Sequence, residues 1–394
     1  FLRDFVTSGS IQTNLGAITS DLNMKFPAKG PATYSGKIST THFDMGTLLG
    51  VNNLGVLSFK GNIKGSGFSA QTIRADLDGV FSHLQYNNYS YEHIAVNGHI
   101  DKKLFKGAVD INDPNVIIVL DGEIDFNNEK PDFSFFADIQ RSNLKKMGFA
   151  KEDMNVIGKF DMNFNGTNID NFLGSVSLFD VAVTKGNQTF VFDTLTLSSQ
   201  LIGQQKILQL RNTEASAFLI GDFTIRELPE AVKQFLNKYY PAYIPPPKKA
   251  IRDQNFLFQL DVKNVDQYLS LLNPALRGFN NSTIVGSLNS ATNLMAISTM
   301  IPYASYKNLT VQDFRLTGLG NMDSLKLTGI IGNTIVNDSL QFPGSKISIT
   351  SSNNVSQLGI STAATQTIND ARLSAQITNL EDGVKIHFDP SSIV

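Results

Sequence analysis

The chain has 394 residues, 41% of them hydrophobic and 17% charged, and ordinary soluble domains carry about 25% charged residues. The net charge of −2 provides no basic surface, which argues against a nucleic-acid partner. Because the chain has no Cys, disulfides, thiolate metal sites and cysteine nucleophiles are excluded. No run approaches 18 apolar residues, so the sequence predicts no membrane-spanning helix.

A corner unit recurs along the chain. GKISTTHFDMGTLLG (36–50) is typical of a strand, a short helical turn and a second strand, and the same order returns in ADIQRSNLKKMGF (137–149) and LDVKNVDQYLSLL (260–272). Recurrence of one supersecondary unit is the mark of a repeat architecture, so these segments favour an array over unrelated domains.

Long hairpins lie between the corners. YNNYSYEHIAVNG (86–98) aligns with YKNLTVQDFRLTG (306–318), and KGNQTFVFDTLTLSS (185–199) is a weaker copy. FKGAVDINDPNVIIVLDGEIDF (105–126) predicts two strands around the turn NDPN. Apolar residues alternate with polar ones through both strands, so one face of the sheet is predicted to be apolar and the other polar.

One segment departs from the strand pattern. ELPEAVKQFLNKYYP (227–241) predicts an amphipathic helix with an apolar stripe of Leu228, Val232, Phe235, Leu236 and Tyr239. The Pro-rich IPPPKK that follows is typical of an extended connector. The sequence thus predicts β-repeats over 1–226, this helix and connector over 227–250, and further β-repeats over 251–394. The helix either covers a patch of sheet or lies over a groove or on a membrane surface.

The predicted helices are too few to cover the apolar faces. The faces either pack on each other as stacked sandwiches or form the inside of one curled sheet, and we favour the second. The predicted fold is an all-β, elongated antiparallel repeat sheet curled into an open hydrophobic groove. The 28 Phe and the absence of Trp suit contact with hydrocarbon. The candidate groove residues are Ile94, Val96, Phe105, Val109, Ile118, Leu120, Phe133, Phe135, Phe160, Met162, Phe164, Phe190, Phe192, Phe256, Phe258, Phe314, Leu316, Leu325 and Leu327.

These motifs carry a family resemblance. The run from FKGAVDINDPN to DIQRSNLKKMGF, and FDMGTLLG with GNIKGSGF, resemble the TamB/AsmA-like proteins (translocation and assembly modules) of Gram-negative envelopes, particularly those of Bacteroidota. The resemblance implies a β-taco that is anchored in the inner membrane and crosses the periplasm. It also implies phospholipid acyl chains as cargo and a BamA-like outer-membrane barrel as partner. We expect the chain to be an internal fragment whose anchor lies outside it.

The predicted function is a periplasmic groove that carries phospholipids between the inner and outer membranes and supports outer-membrane biogenesis. The alternatives are a periplasmic scaffold that offers strand edges to outer-membrane proteins by β-augmentation and, less favoured, an extracellular β-repeat adhesin.

Side chains capable of catalysis are sparse, and the sequence predicts no enzyme, cofactor or metal. His93 and His99 share strand parity, but Asp101 is the single tempting third ligand. Asp121, Glu123 and Asp125 occupy alternate positions of one strand, which indicates a solvated outer face.

Overall fold

The computed structural model describes residues 3–50, 52–69, 71–266, 268–269, 273, 275–321, 323–336, 340–364 and 368–393. Strands make up 67% of the chain and helix 5%, which confirms the all-β prediction with antiparallel pairing and few helices. Part of the predicted 260–272 corner lies outside the described residues. Contacts divide the chain into two units, Phe1–Thr196 (unit 1) and Leu197–Val394 (unit 2), and the segment 227–250 lies within unit 2.

Unit 1 is a sheet of strands paired almost entirely in chain order. Its helix α1 is Met45–Leu49. Its strands are β1 (Asp4–Thr13), β2 (Gly16–Lys25), β3 (Thr33–Thr41), β4 (Phe43–Asp44), β5 (Leu54–Ser66), β6 (Arg74–Tyr86), β7 (Tyr89–Tyr91), β8 (Ile94–Asp101), β9 (Leu104–Asn112), β10 (Val116–Asp125), β11 (Asp132–Ser142), β12 (Met154–Asn165) and β13 (Leu173–Lys185), and β14 (Gln188–Ile202) contains the boundary between the units. The order of antiparallel neighbours is β1-β2-β3-β5-β6-β8-β9-β10-β11-β12-β13, with β4 on β5 and β7 on β6.

Unit 2 repeats this organisation and adds a longer helix, α2 (Leu228–Asn237), which follows a 3-10 turn at Ile225–Glu227. Its strands are β15 (Gln205–Asn212), β16 (Ala215–Asp222), β17 (Asn255–Val262), β18 (Leu276–Gly278), β19 (Ser282–Asn289), β20 (Leu294–Tyr306), β21 (Leu309–Gly320), β22 (Leu325–Val336), β23 (Leu340–Ser352), β24 (Val355–Ala364), β25 (Ile368–Leu380), β26 (Gly383–Phe388) and β27 (Ser392–Ile393). Antiparallel pairing runs β15-β16-β17-β19-β20-β21-β22-β23-β24-β25-β26, with β18 on β20 and β27 on β25.

The first predicted corner contains a short helix, and the second is a run of turns between two strands. In the first corner, Asp44 caps α1 by accepting a hydrogen bond from the Thr47 N–H (2.9 Å), and Gly50 ends the helix in the left-handed conformation. The Thr47 hydroxyl donates to the same carboxylate, and these two hydrogen bonds lower the pKa of Asp44. In the second corner, the Phe149 N–H donates to the Leu144 carbonyl (2.8 Å) between β11 and β12.

Candidate functional site

The alternation of the strands gives unit 1 one apolar face and one polar face. Residues directly opposite each other in an antiparallel pair point to the same side of the sheet. Ile118 lies opposite Ile111 on one neighbour and Ile139 on the other, whereas Asp121 lies opposite Ala108 and Phe136. The register therefore extends each alternating strand into rows that cross the whole unit.

Four such rows form the apolar face of unit 1. Row 1 lies nearest the edge called the capped rim, which α1 and residues 143–149 cover, and row 4 lies nearest the opposite edge, called the open rim. Row 1 is Phe59, Phe81, Ile94, Ile111, Ile118 and Ile139, and row 2 is Ile38, Gly61, Gly79, Val96, Val109, Leu120, Ala137, Phe160 and Leu178. Row 3 is Gly36, Ile63, Leu77, Gly98, Gly107, Gly122, Phe135, Met162 and Val176, and row 4 is Tyr34, Gly65, Ala75, Ile100, Phe105, Ile124, Phe133, Phe164 and Gly174. None of these positions holds Asp, Glu, Lys or Arg.

Glycines occupy the central rows of this face, and aromatic rings lie over some of them. Gly98, Gly107 and Gly122 are consecutive members of row 3. A Cβ at Gly98 would lie 2.6 Å from a Phe105 ring carbon, and one at Gly61 would lie 2.5 Å from the Phe59 ring. Since such distances are excluded for real Cβ atoms, only glycine lets the rings lie flat against the neighbouring strands. The rings therefore lie close to the backbone at these glycines.

Most positions of the four rows are only half-buried, and few are fully buried. The chain exposes 23409 Å², whereas two compact domains of half its mass would together expose about 18,000 Å². Phe135 is half-buried on the apolar face, while its neighbour Phe136 is 43% exposed on the polar face. At this pair of positions the apolar face is therefore less exposed than the polar face.

One edge of the apolar face in unit 1, the capped rim, is covered by α1 and the second corner (143–149). Met45 of α1 packs against Leu57 and Phe59, and Met147 of the second corner packs in a cluster with Ile94 and Val116. These contacts are the closest that unit 1 comes to an enclosed core.

The turn NDPN stabilises the capped rim. Asp113 is 2% exposed and accepts hydrogen bonds from the Tyr89 hydroxyl (2.5 Å), the Asn115 N–H (2.7 Å) and the Glu92 N–H (3.1 Å). Burial, followed by the nearby Tyr89 and Asp113, raises the pKa of Tyr91 to about 12. The buried carboxylate is therefore satisfied by structural hydrogen bonds, and the turn needs no catalytic explanation.

Unit 2 has a corresponding apolar face with more interruptions. Its rows are, first, Lys206, Gly221, Phe256, Leu288, Met295, Gly320, Leu325, Ser351, Ser356 and Ile377; second, Leu208, Leu219, Phe258, Gly286, Ile297, Gly318, Leu327, Ile349, Leu358 and Ala375; third, Leu210, Ala217, Leu260, Ile284, Thr299, Leu316, Gly329, Ile347, Ile360 and Leu373. Ile301 and Phe314 lie opposite each other one step beyond the third row.

Buried polar groups distinguish this second face. The ammonium group of Lys206 lies 5.9 Å from the centre of the Phe223 ring, a cation–π contact. The hydroxyl oxygens of Ser282 and Thr299 are buried without a hydrogen-bond partner in the described structure. The face of unit 2 is therefore a less uniform hydrocarbon surface than the face of unit 1.

Helix α2 covers the middle of the first row of unit 2. Phe235 is 2% exposed and packs in one cluster with Phe256, Leu288 and Leu325. Just beyond the helix, the Tyr239 hydroxyl donates to the Asn321 carbonyl, and the Tyr240 hydroxyl lies 2.6 Å from the Ser351 hydroxyl. These contacts place α2 across the hairpin turns of the sheet. Val232, which the sequence also places on the apolar stripe, is 43% exposed and lies outside the cluster.

The structure places the candidate groove residues on the two apolar faces. All eleven from Ile94 to Phe164 lie in the four rows of unit 1, and Phe256, Phe258, Phe314, Leu316, Leu325 and Leu327 lie on the face of unit 2. Phe190 is buried and Phe192 is half-buried on the same side of β14. Leu228 and Leu236 are partly buried against the α2 cluster.

Sequence reasoning missed most positions of each face. Examples are Phe59, Phe81 and Leu77 in unit 1 and Ile297 and Ile347 in unit 2. Their alternation is visible in the sequence, but the strand register that joins them into rows is not.

The scattered histidines and carboxylates form no metal cluster among the described residues. His99 Nδ1 lies 2.8 Å from Asp76 Oδ1, and Asp101 pairs with Arg74 (3.2 Å). His99, Asp121, Glu123 and Asp125 lie on the polar face of unit 1, on the side away from the apolar rows.

Neither described helix has the length and hydropathy to cross a bilayer. Comparison of the chain with known proteins found no matching family model, no matching curated protein and no matching solved structure.

Proposed function

We propose that the chain is part of a periplasmic lipid conduit, in which phospholipid acyl chains lie on the apolar faces while they move between the inner and outer membranes. The observation that carries this proposal is the apolar face of unit 1. It has four rows without a charged residue, it is lined mostly by Phe and aliphatic side chains, and most of its positions are only half-buried.

The energetics of such a surface suit passive carriage. Moving an acyl chain from water onto hydrocarbon stabilises it by about 0.8 kcal/mol per buried methylene. The glycine-flattened centre of row 3 offers no polar group that would hold one position of a chain more tightly than the next. Lipid would therefore bind along the face without a fixed register, as carriage requires.

The decisive experiment uses two neighbouring phenylalanines. Phe135→Glu places a carboxylate on the apolar face, where an unpaired charge is costly to desolvate, and Phe136→Glu places the same group on the polar face. We expect native mass spectrometry to find co-purifying phospholipid on the wild type and on Phe136→Glu, and much less on Phe135→Glu. Circular dichroism and thermal unfolding would establish that both variants fold.

A wild-type protein that carries no lipid, or equal loading of the two folded variants, would overturn the proposal.

A further inference from the structure

The second edge of the apolar face in unit 1, the open rim, is a line of turns at 26–32, 67–69, 71–73, 102–103, 126–131 and 166–172. Backbone hydrogen bonds join these turns in sequence. The Lys102 N–H donates to the Ile73 carbonyl (2.8 Å), the Phe126 N–H donates to the Lys103 carbonyl (3.1 Å), and the Gly166 N–H donates to the Pro131 carbonyl (3.0 Å). The turns therefore continue the apolar face by one further row.

Aromatic side chains carry the hydrocarbon surface out to this rim. The Phe126 ring lies 5.8 Å from Phe133 of row 4, edge to face, and Phe133 stacks on Phe164 at 4.8 Å. Phe126 is 50% exposed, and Phe26 and Phe68 on neighbouring turns are also exposed. An acyl chain lying across row 4 would thus leave the face over Phe126.

Two lysines stand where the face ends. Lys102 and Lys103 form the hairpin turn between β8 and β9, and Lys103 lies opposite Phe126. Both are exposed, and neither has an ion-pair partner in the described part of the chain. At the adjoining strand ends, Asp101 pairs with Arg74 (3.2 Å) and Asp125 accepts from the Asn127 N–H (2.7 Å).

The capped rim differs in what covers it. Lys145 pairs there with Asp153 (3.0 Å) and Lys185 with Glu152 (2.9 Å), whereas Lys146 has no ion pair among the described residues. Met45 and Met147 cover the apolar rows on that side. A bound lipid would therefore have to present its polar end at the open rim.

We propose, on the basis of the function proposed above, that Lys102 and Lys103 bind the phosphate of a phospholipid whose acyl chains lie on the apolar face of unit 1. A lysine has an apolar four-carbon stem and a mobile ammonium group, so it can lie along Phe126 and still reach a phosphate in water. The two lysines select lipids with a phosphate head group, whereas the apolar rows bind acyl chains whatever the head group.

The test compares two lipids with the same acyl chains, dioleoyl phosphatidylglycerol and dioleoylglycerol, by competition for a fluorescent fatty acid bound to the full chain. The wild type should bind the phospholipid more tightly. Lys102→Gln with Lys103→Gln should weaken phospholipid binding about tenfold and leave dioleoylglycerol binding unchanged. The matched control, Lys37→Gln with Lys60→Gln, alters two exposed lysines of the polar face and should change neither.

The outcomes separate this inference from the function on which it rests. Unchanged phospholipid binding by the Lys102/Lys103 variant, with the wild type binding both lipids, overturns the head-group site and leaves the conduit standing. Failure of the wild type to bind either lipid overturns both. Excess inorganic phosphate should not compete with the phospholipid, and full competition would replace the lipid site with a free-phosphate site.

Discussion

The two units use the same alternating strands to build faces of different character. The face of unit 1 contains no charged residue in its four rows, and aromatic rings lie directly against several of its glycines. The face of unit 2 holds Lys206 and buried hydroxyls, and α2 covers the middle of its first row. Strand alternation alone thus yields an apolar surface. What is added at its edges and centre decides whether that surface becomes an enclosed core or stays available to a ligand.

The largest change in stability should come from weakening the packing of α2 on the sheet of unit 2. Phe235→Ala removes a side chain that is 2% exposed and leaves a cavity between α2 and the sheet, which should cost about 3–5 kcal/mol of unfolding free energy. Val232→Ala on the same helix removes a largely exposed side chain and should cost little. Urea unfolding of the two variants measures the difference. Equal losses would mean that α2 is not part of the core of unit 2.

The next effect should come from the glycine-lined centre of unit 1. Gly98→Val would force a side chain into the Phe105 ring and the Lys106 carbonyl, and overpacking of this kind costs about 1–3 kcal/mol. Gly9→Val is the control, since a Cβ at Gly9 meets nothing within 4 Å. The unfolding midpoint of Gly98→Val should be lower than that of Gly9→Val. If both variants are equally stable, the rings do not depend on the glycines for their positions.

Much of this fold follows from the sequence because strand alternation and turn chemistry are local. The NDPN turn, the corner at 36–50 and the helix at 227–241 all appear where their residues predict them. The division between the units at residues 196 and 197 does not, since it falls inside the strand β14 and carries no Pro- or Gly-rich linker.

The sequence predicts that an apolar face exists, but it does not predict which residues lie opposite one another on that face. The face of each candidate follows from its parity, but β-bulges between Ile117 and Ile118 and between Ile157 and Lys159 shift the parity within strands. Which glycines lie opposite one another depends on register, which is a tertiary property. The lysines at the open rim were missed for the same reason, because only the pairing of β9 with β10 places Lys103 opposite Phe126.

A pH effect should distinguish the capped rim of unit 1. Burial raises the pKa of Tyr91 to about 12, above the unfolded value of 10.0, so the folded state favours the neutral phenol. Its contribution is fully present below pH 10 and is lost as pH rises through the folded pKa, by about 2 kcal/mol between pH 10 and 12. Tyr91→Phe should remove this loss of unfolding free energy between pH 10 and 12, the alkaline limb of the stability curve. Tyr243→Phe, which alters an exposed ring, should leave the limb as in the wild type.

The smallest effect should come from the polar face of unit 1. Lys106 and Glu123 lie opposite each other on β9 and β10 with their charged atoms 3.4 Å apart, and both side chains are more than one-third exposed. Water and salt screen such a pair, so Lys106→Gln should change stability by no more than about 0.5 kcal/mol and by less at high salt. Glu123→Gln should match it, and the double variant should show a coupling within error of zero at high ionic strength. A larger, salt-resistant coupling would mean that the polar face is covered in solution, and the contrast between an available apolar face and a solvated polar face would then fail.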